Sequence, residues 1–278
     1  MQTILVPLDG TRHSLVALPV ARRLASLMHG TIHVLHVAQR RTPPDELLDT
    51  LGLSPDELED TVLDLETGAP ENEILRAAER WDDATIVLCT HTGMEKPYGA
   101  LGHVAWAVLQ RARHPIILVQ PERGFRPWEI DHILLPHDGT PTTAVGFSPA
   151  AKLAVRTHAE LAVVYVAEPR EPRPEEPGTY TVPRYVDQPQ HEWPAWAGEF
   201  LERVCGLGRI PAGLRLTMHL AHGDPGHEIV EFARRHGTDL ILLAWHGRSE
   251  PERARTLRTV VHEAPCPVLI YRIPNEAG

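Results

Sequence analysis

Two aspartates each close the same kind of short apolar run. Ile4-Leu5-Val6-Pro7-Leu8 leads into Asp9-Gly10-Thr11, and Ile133-Leu134-Leu135-Pro136-His137 leads into Asp138-Gly139-Thr140. A carboxylate in that position can cap the turn or helix that follows it. Gly102-His103 opens an apolar helical stretch, where Gly102 is either a plain helix start or the point at which backbone N–H groups meet an anion. His103 there can donate a hydrogen bond and, when charged, attract that anion. Arg255 can pair with an anion or with a nearby carboxylate. The chain has 17 histidines, and His33 with His36, or His91 with His103, invite a metal site. No HExxH or similar pair at one-face helical spacing has a carboxylate partner, so no metal is expected. A collective pH response of the histidines is a hypothesis resting on their number. There is no GxSxG elbow, no P-loop and no SGGxD-type loop, and no acid, base and nucleophile converge. The expectation is a protein that is not an enzyme, with weak ATP hydrolysis as the most it could show.

Composition narrows the partners. A formal charge of −10 opposes a large phosphate-backbone surface, because nucleic-acid binders need a basic patch to release counterions. Met1 runs directly into Thr3-Ile4-Leu5-Val6 without a charged and then apolar leader, and no later apolar run reaches the ~18 residues a membrane helix needs. A cytoplasmic protein without membrane contact is expected. Cys89, Cys205 and Cys266 are far apart and lack CxxC spacing, so buried thiols are expected rather than a disulfide framework or zinc knuckle.

The elements that must position these residues come in two copies. At ~150 residues per domain, 278 residues predict two domains. The match from Ile4 to Thr11 with Ile133 to Thr140 continues without a gap through Arg23-Leu24-Ala25 and Lys152-Leu153-Ala154 to Val37-Ala38 and Val166-Ala167. Gly68-Ala69-Pro70 with Glu73-Ile74 then matches Gly223-Asp224-Pro225 with Glu228-Ile229, and His114-Pro115-Ile116-Ile117-Leu118-Val119 matches Cys266-Pro267-Val268-Leu269-Ile270-Tyr271. Self-similarity of this kind outranks any single-residue argument. The expected division is 1–120, a breaker-rich linker at 121–131, and 132–273 with a Pro-rich insertion at about 168–196. The shortness of the linker forces the two copies to pack together. The insertion is expected to be an extended arm, either a solvent-exposed loop or lid or, given its aromatics, a partner-binding or domain-clamping segment.

Within the first copy, strands are predicted at Thr3 to Leu8, Thr31 to Ala38, Val62 to Glu66, Thr85 to Cys89 and Ile116 to Val119. Helices are predicted from Leu15 to Met28 with Gly30 as the C-cap, at Glu71 to Trp81 and at Val104 to Arg111, with a broken helical region at Leu47 to Leu58. Strands separated by helices connect by right-handed crossovers, so the fold class is doubly wound α/β with helices on both faces of a parallel sheet.

The strand-one ILVPxDG, the GxPxxEI helix start and the final HPIILV and CPVLIY strands, each in order and twice, resemble tandem universal stress protein domains over nearly the whole chain. The resemblance implies Rossmann-like five-stranded sheets of order 3-2-1-4-5, paired across their last strands. Many members of that family bind ATP through two glycines three apart, a spacer, and then Gly-Ser or Gly-Thr opening the final helix, because small residues let backbone N–H groups reach phosphates. Here Cys89 and Thr92 fall where the glycines belong in the first copy, Gly102 holds the third, and His103 replaces the hydroxyl residue. In the second copy Ala244 and Gly247 stand first, the spacer is short, and Ala254 and Arg255 form the last pair.

By resemblance, Pro7, Asp9, Val37, Gly102, His103 and Val104 form the first copy's adenine-nucleotide site. Asp9 would hold the ribose, the Val37 backbone the adenine, and Gly102, His103 and Val104 the phosphates. Asp138 and Gly247 remain in the second. His91 and His246 match the family's histidine before the glycine and are expected to be structural. A side chain where close approach or positive φ is needed weakens such a site. The sequence thus implies a non-catalytic stress-response protein with at most one weak or altered adenine-nucleotide site, for ATP or another adenine nucleotide. The alternatives are an interaction module that has lost nucleotide binding and acts on an unidentified protein partner through its domain interface and Pro-rich arm, and, third, a nucleotide hydrolase. The copies pair within the chain, leaving either a monomer or a homodimer.

Overall fold

The computed structural model describes residues 2–38, 48, 50–54, 60–90, 101–124, 126–167, 199, 211–245 and 251–273. Strands β1 (Thr3–Leu8), β2 (Thr31–Ala38), β3 (Thr61–Thr67), β4 (Thr85–Cys89) and β5 (Ile116–Val119) belong to the first half. The second half has β6 (His132–His137), β7 (Glu160–Ala167), β8 (Arg215–His222), β9 (Leu240–Trp245) and β10 (Val268–Arg272). Helices α1 (Ala17–Met28), α2 (Pro70–Ala78) and α3 (His103–Arg111) recur as α4 (Phe147–Thr157), α5 (Pro225–Arg235) and α6 (Pro251–Glu263). The insertion at about 168–196, half of the 47–58 region, and His91, Thr92, Cys205, His246 and Gly247 lie outside the described residues.

All ten strands join one sheet in the order β3-β2-β1-β4-β5-β10-β9-β6-β7-β8. Each half therefore has the order 3-2-1-4-5, and every pairing within a half is parallel. The side chains of β1 alternate between faces, as a pleated strand requires: Ile4, Val6 and Leu8 join the core under α1 and α4, and Leu5 joins the core under the other helices. Both layers run through both halves, so helices cover the sheet on each face.

The halves meet through β5 and β10, which are antiparallel, with Leu118 opposite Val268, Ile117 opposite Leu269 and Ile116 opposite Ile270. Ile117 matches Leu269 in the sequence repeat, so this register is self-complementary, the pattern of a two-fold interface made inside one chain. Side chains just beyond the matched strand cores repeat the symmetry. Gln120 Nε2 donates to Val261 O on α6 at 3.2 Å, and Arg272 Nη2 donates to Gln110 O on α3 at 3.1 Å. The connecting segment is docked as well: Trp128 is buried and its Nε1 donates to Asp239 O at 2.9 Å. Asp239 Oδ2 accepts from the backbone N–H groups of Asp131 and His132, both at 2.9 Å.

One expectation is corrected. Gly30 is not the left-handed C-cap of α1; His29 takes that conformation at φ 51°. Gly30 is needed for a different reason, because a Cβ there would lie 2.6 Å from Gln2 O, beside the Thr31 N–H to Gln2 O bond that starts β2 against β1. The second half has the left-handed residue at His158 (φ 58°) and places Ala159 where the first half has Gly30.

Candidate functional site

In an open parallel sheet the carboxyl ends of the strands at the point where strand order reverses form a crevice. That point falls between β1 and β4 in the first half and between β6 and β9 in the second. Asp9 follows β1 directly, and Val37 sits near the carboxyl end of β2, one residue past the His36 to Leu8 register pair. Gly102 is tied to the same edge because its N–H donates to Thr90 O at 2.8 Å, while Thr90 N–H donates to Val119 O at 2.9 Å. Asp9, Val37, Gly102, His103 and Val104 therefore share one sheet edge. Pro7 is buried within β1, opposite Leu35.

Gly102 is the N-cap of α3 and makes no side-chain cap bond, and the first turn of the helix carries no acid. The first N–H groups of a helix have no intrahelical acceptor and carry partial positive charge. His103 is exposed at the first helical position. The Asp9 carboxylate also organises its own turn: Oδ1 accepts from Thr11 N–H at 2.9 Å and from Thr11 Oγ1 at 2.7 Å. Gly10 follows at φ 84°, and a Cβ there would lie 2.7 Å from Thr50 O. Both the positive φ and the close approach require glycine.

The second half keeps the turn and alters the helix ends. Asp138 Oδ1 accepts from Thr140 N–H at 3.0 Å, Thr140 Oγ1 at 2.6 Å and Thr143 Oγ1 at 2.7 Å. Arg255 on α6 does not face an open cradle. Its Nη2 lies 2.9 Å from Asp224 Oδ2, and Asp224 is the N-cap of α5, with Oδ1 accepting from His227 N–H at 3.1 Å. One carboxylate thus caps one helix and ties it to the next. The matching residues in the first half are Ala69 and His103, and the Ala69 N-cap of α2 makes no side-chain cap bond. Ala254 is buried. Gly247 lies outside the described residues.

Two histidines at this edge went unassigned in the sequence. His36 is buried and its Nδ1 donates to Leu8 O at 2.8 Å, which fixes its tautomer and closes the end of β1 against β2. His137 stands where the first half has Leu8, and its Nδ1 accepts from Gly139 N–H at 2.9 Å. Burial pushes the His137 imidazole down to about 4, against the opposing pull of the Asp138 charge. The signal was in the repeat itself, a histidine in place of an apolar strand residue. Among the described residues no cluster of three His, Cys, Asp or Glu side chains could hold a metal, and no helix is long and apolar enough to cross a membrane.

A family model, the Universal stress protein family, matches residues 1–120 and 129–272. A universal stress protein of Methanocaldococcus jannaschii, MJ0531, is 26% identical over 149 residues, covering 52% of this chain and 83% of that protein. Two solved structures superpose along the whole chain. A universal stress protein from Archaeoglobus fulgidus has a TM-score of 0.66 at 16% identity, covering 97% of this chain and 98% of that one. A protein from Pseudomonas aeruginosa PAO1, described as functionally unknown, has a TM-score of 0.68 at 17% identity, covering 98% and 92%. At these identities the structures speak for the fold.

Proposed function

The chain belongs to the universal stress protein family, and on that premise we propose that it is a non-catalytic stress-response protein with a single adenine-nucleotide site, in its first half. The two units are taken as 1–120 and 132–273, joined by 121–131. Asp9 would meet the ribose, the Val37 backbone the adenine, and the N–H groups of Gly102, His103 and Val104 the phosphates. Pro7 would contribute only through its place in β1. The observation that carries this assignment is the contrast between the two final helices. The start of α3 has a glycine N-cap and no acidic residue in its first turn, whereas Arg255 on α6 is paired with Asp224. Asp138 and Gly247 are retained as the remnant of a second site, and the second half acts as structural partner to the first.

Affinity is expected to be low because Cys89 and Thr92 carry side chains where close backbone approach favours glycine. No metal cofactor is invoked. The self-complementary β5 and β10 edges are joined within the chain, which supports intramolecular pairing in place of a homodimer through that surface. Cys89 and Cys266 are buried, and a reducing, cytoplasmic setting is proposed for them.

Native mass spectrometry of the purified protein tests the assignment, followed by thermal unfolding with added ATP, ADP and AMP. One nucleotide per chain, and a melting temperature that rises with ligand through linkage, are expected, with both effects lost in Asp9→Ala. Two nucleotides per chain would overturn the single-site reading. A second reading, an interaction module without nucleotide, is favoured by the engagement of Asp9 Oδ1 within its own turn. It holds if no nucleotide co-purifies and the melting temperature stays put. Steady phosphate release that disappears in Asp9→Ala would instead mark a hydrolase.

A further inference from the structure

The outer edges of the two halves carry different ionisable partners at matched positions. In the first half His33 Nδ1 lies 2.9 Å from Asp64 Oδ2, and the ring packs on Trp81 with centroids 4.5 Å apart. Arg80 lies 3.9 Å from Asp64 Oδ1 and pairs with Glu66. The repeat places His219 where the first half has Asp64, His236 where it has Trp81, and Ala162 where it has His33. The carboxylate–histidine pair is thereby replaced by two imidazoles, 5.6 Å apart between centroids, both packed on Phe232 at 4.9 and 4.0 Å.

We propose that the β8–α5 edge of the second half is a proton-responsive element that loosens on mild acidification, with His219 and His236 as the sensing pair, while the β3–α2 edge of the first half holds. Thr217 Oγ1 donates to Glu160 Oε1 at 3.0 Å, so His219 Nε2, 3.2 Å from that hydroxyl, must be the donor in their contact. The proton taken up on acidification therefore goes to Nδ1, which no described residue bonds. His236 is the C-cap of α5 and stacks on Phe232. A charge on His219 is opposed by its half-buried position and by the His236 ring beside it.

The other ionisable groups on these elements are Glu160 and Tyr165 on β7, Arg215 and His222 on β8, and His227, Glu228, Glu231, Arg234 and Arg235 on α5. Glu160 attracts the charge, Arg215 bonds His158 O, and Arg235 is 3.9 Å from Glu228. Burial first, and His236 second, hold the His219 imidazole below its ordinary value against the opposing Glu160 charge. A group depressed in the folded state contributes its full stability above its unfolded value and loses it progressively as pH falls from there to the folded value.

Hydrogen–deuterium exchange of the full chain at pH 7.5 and 5.5, corrected for intrinsic rates, reads the two edges separately. Protection in residues 215–222 is expected to fall by roughly three- to tenfold more than in residues 61–67. His219→Gln keeps a donor for Thr217 but cannot be protonated, and should remove that excess loss. Equal losses at the two edges, or an excess that survives in His219→Gln, would overturn the proposal. Should that variant fail to fold, NMR titration of the His219 ring in wild type and His236→Gln decides the matter. An upward shift of the His219 midpoint in the variant supports coupling, and an unmoved midpoint refutes it.

Discussion

Arg255 on α6 reaches back 31 positions to place Nη2 2.9 Å from Oδ2 of Asp224, the residue that also caps α5. Two helix N-termini, each an anion-attracting feature on its own, are thus tied together by an ion pair supplied from within the chain.

The two roles of Asp224 separate by substitution. Asp224→Ala removes the cap and the pair and should cost about 1 kcal/mol, the usual size of a lost N-cap. Asp224→Asn keeps an acceptor for His227 N–H and should cost less. Both partners are largely exposed (64% and 47%), so Arg255→Ala alone should cost less than about 1 kcal/mol. Urea unfolding of the three variants gives the ranking, and an Arg255→Ala effect larger than that of Asp224→Ala would contradict it.

His137 should make the second half acid-sensitive in a defined window. Its imidazole is held down at about 4 from an ordinary 6.5, so the unfolded chain binds the proton first as pH falls. The neutral histidine contributes fully above pH 6.5, its contribution declines between about 6.5 and 4, and the loss levels off below that. At ~1.4 kcal/mol per unit the loss is on the order of 3 kcal/mol. His137→Leu, the residue type of the first half at Leu8, should lower stability at pH 7 by removing the acceptor for Gly139 N–H, yet flatten the profile across this window. Denaturant midpoints collected at intervals from pH 7.5 to 4 would show whether the slope goes.

Gly30 and His29 predict opposite signs at adjacent positions. Gly30→Ala sets a methyl group 2.6 Å from Gln2 O, and the shift this forces on the start of β2 should cost about 1–3 kcal/mol. His29→Gly relieves a left-handed non-glycine residue and should stabilise by up to ~1 kcal/mol. Thermal unfolding of the two single variants checks both signs at once.

Across the pseudo-two-fold, Arg272 donates to Gln110 O while its other terminal nitrogen, Nη1, is buried with no hydrogen-bond partner among the described residues. Burial also lowers the tendency of this guanidinium to hold its charge. Arg272→Met keeps the aliphatic packing and removes the poorly satisfied cation, so it should be close to neutral. Arg272→Ala loses the packing too and should destabilise by about 1 kcal/mol or more. Equal losses in the two variants would mean that the hydrogen bond, and not the packing, holds this end of the interface.

The amino-acid order alone determined the duplication and the first half's strand positions, while the family resemblance implied the edge through which the halves join. Apolar runs such as Thr3 to Leu8 and Ile116 to Val119 suit strands buried on both faces of a sheet, and the matched last strands meet in a self-complementary antiparallel register. Asp9, Val37 and Gly102 were grouped by the family resemblance, and the topology brings them to the carboxyl ends of the strands. Partners far apart in the chain were decided by the tertiary structure: Asp224 for Arg255, Asp239 for the connecting segment, and Gln2 as the reason for Gly30. A repeat shows which positions correspond, but whether a side chain there meets a carboxylate, a carbonyl or a like charge depends on neighbours brought in by folding. Asp64 and His219 occupy matched positions and face opposite electrostatics for that reason.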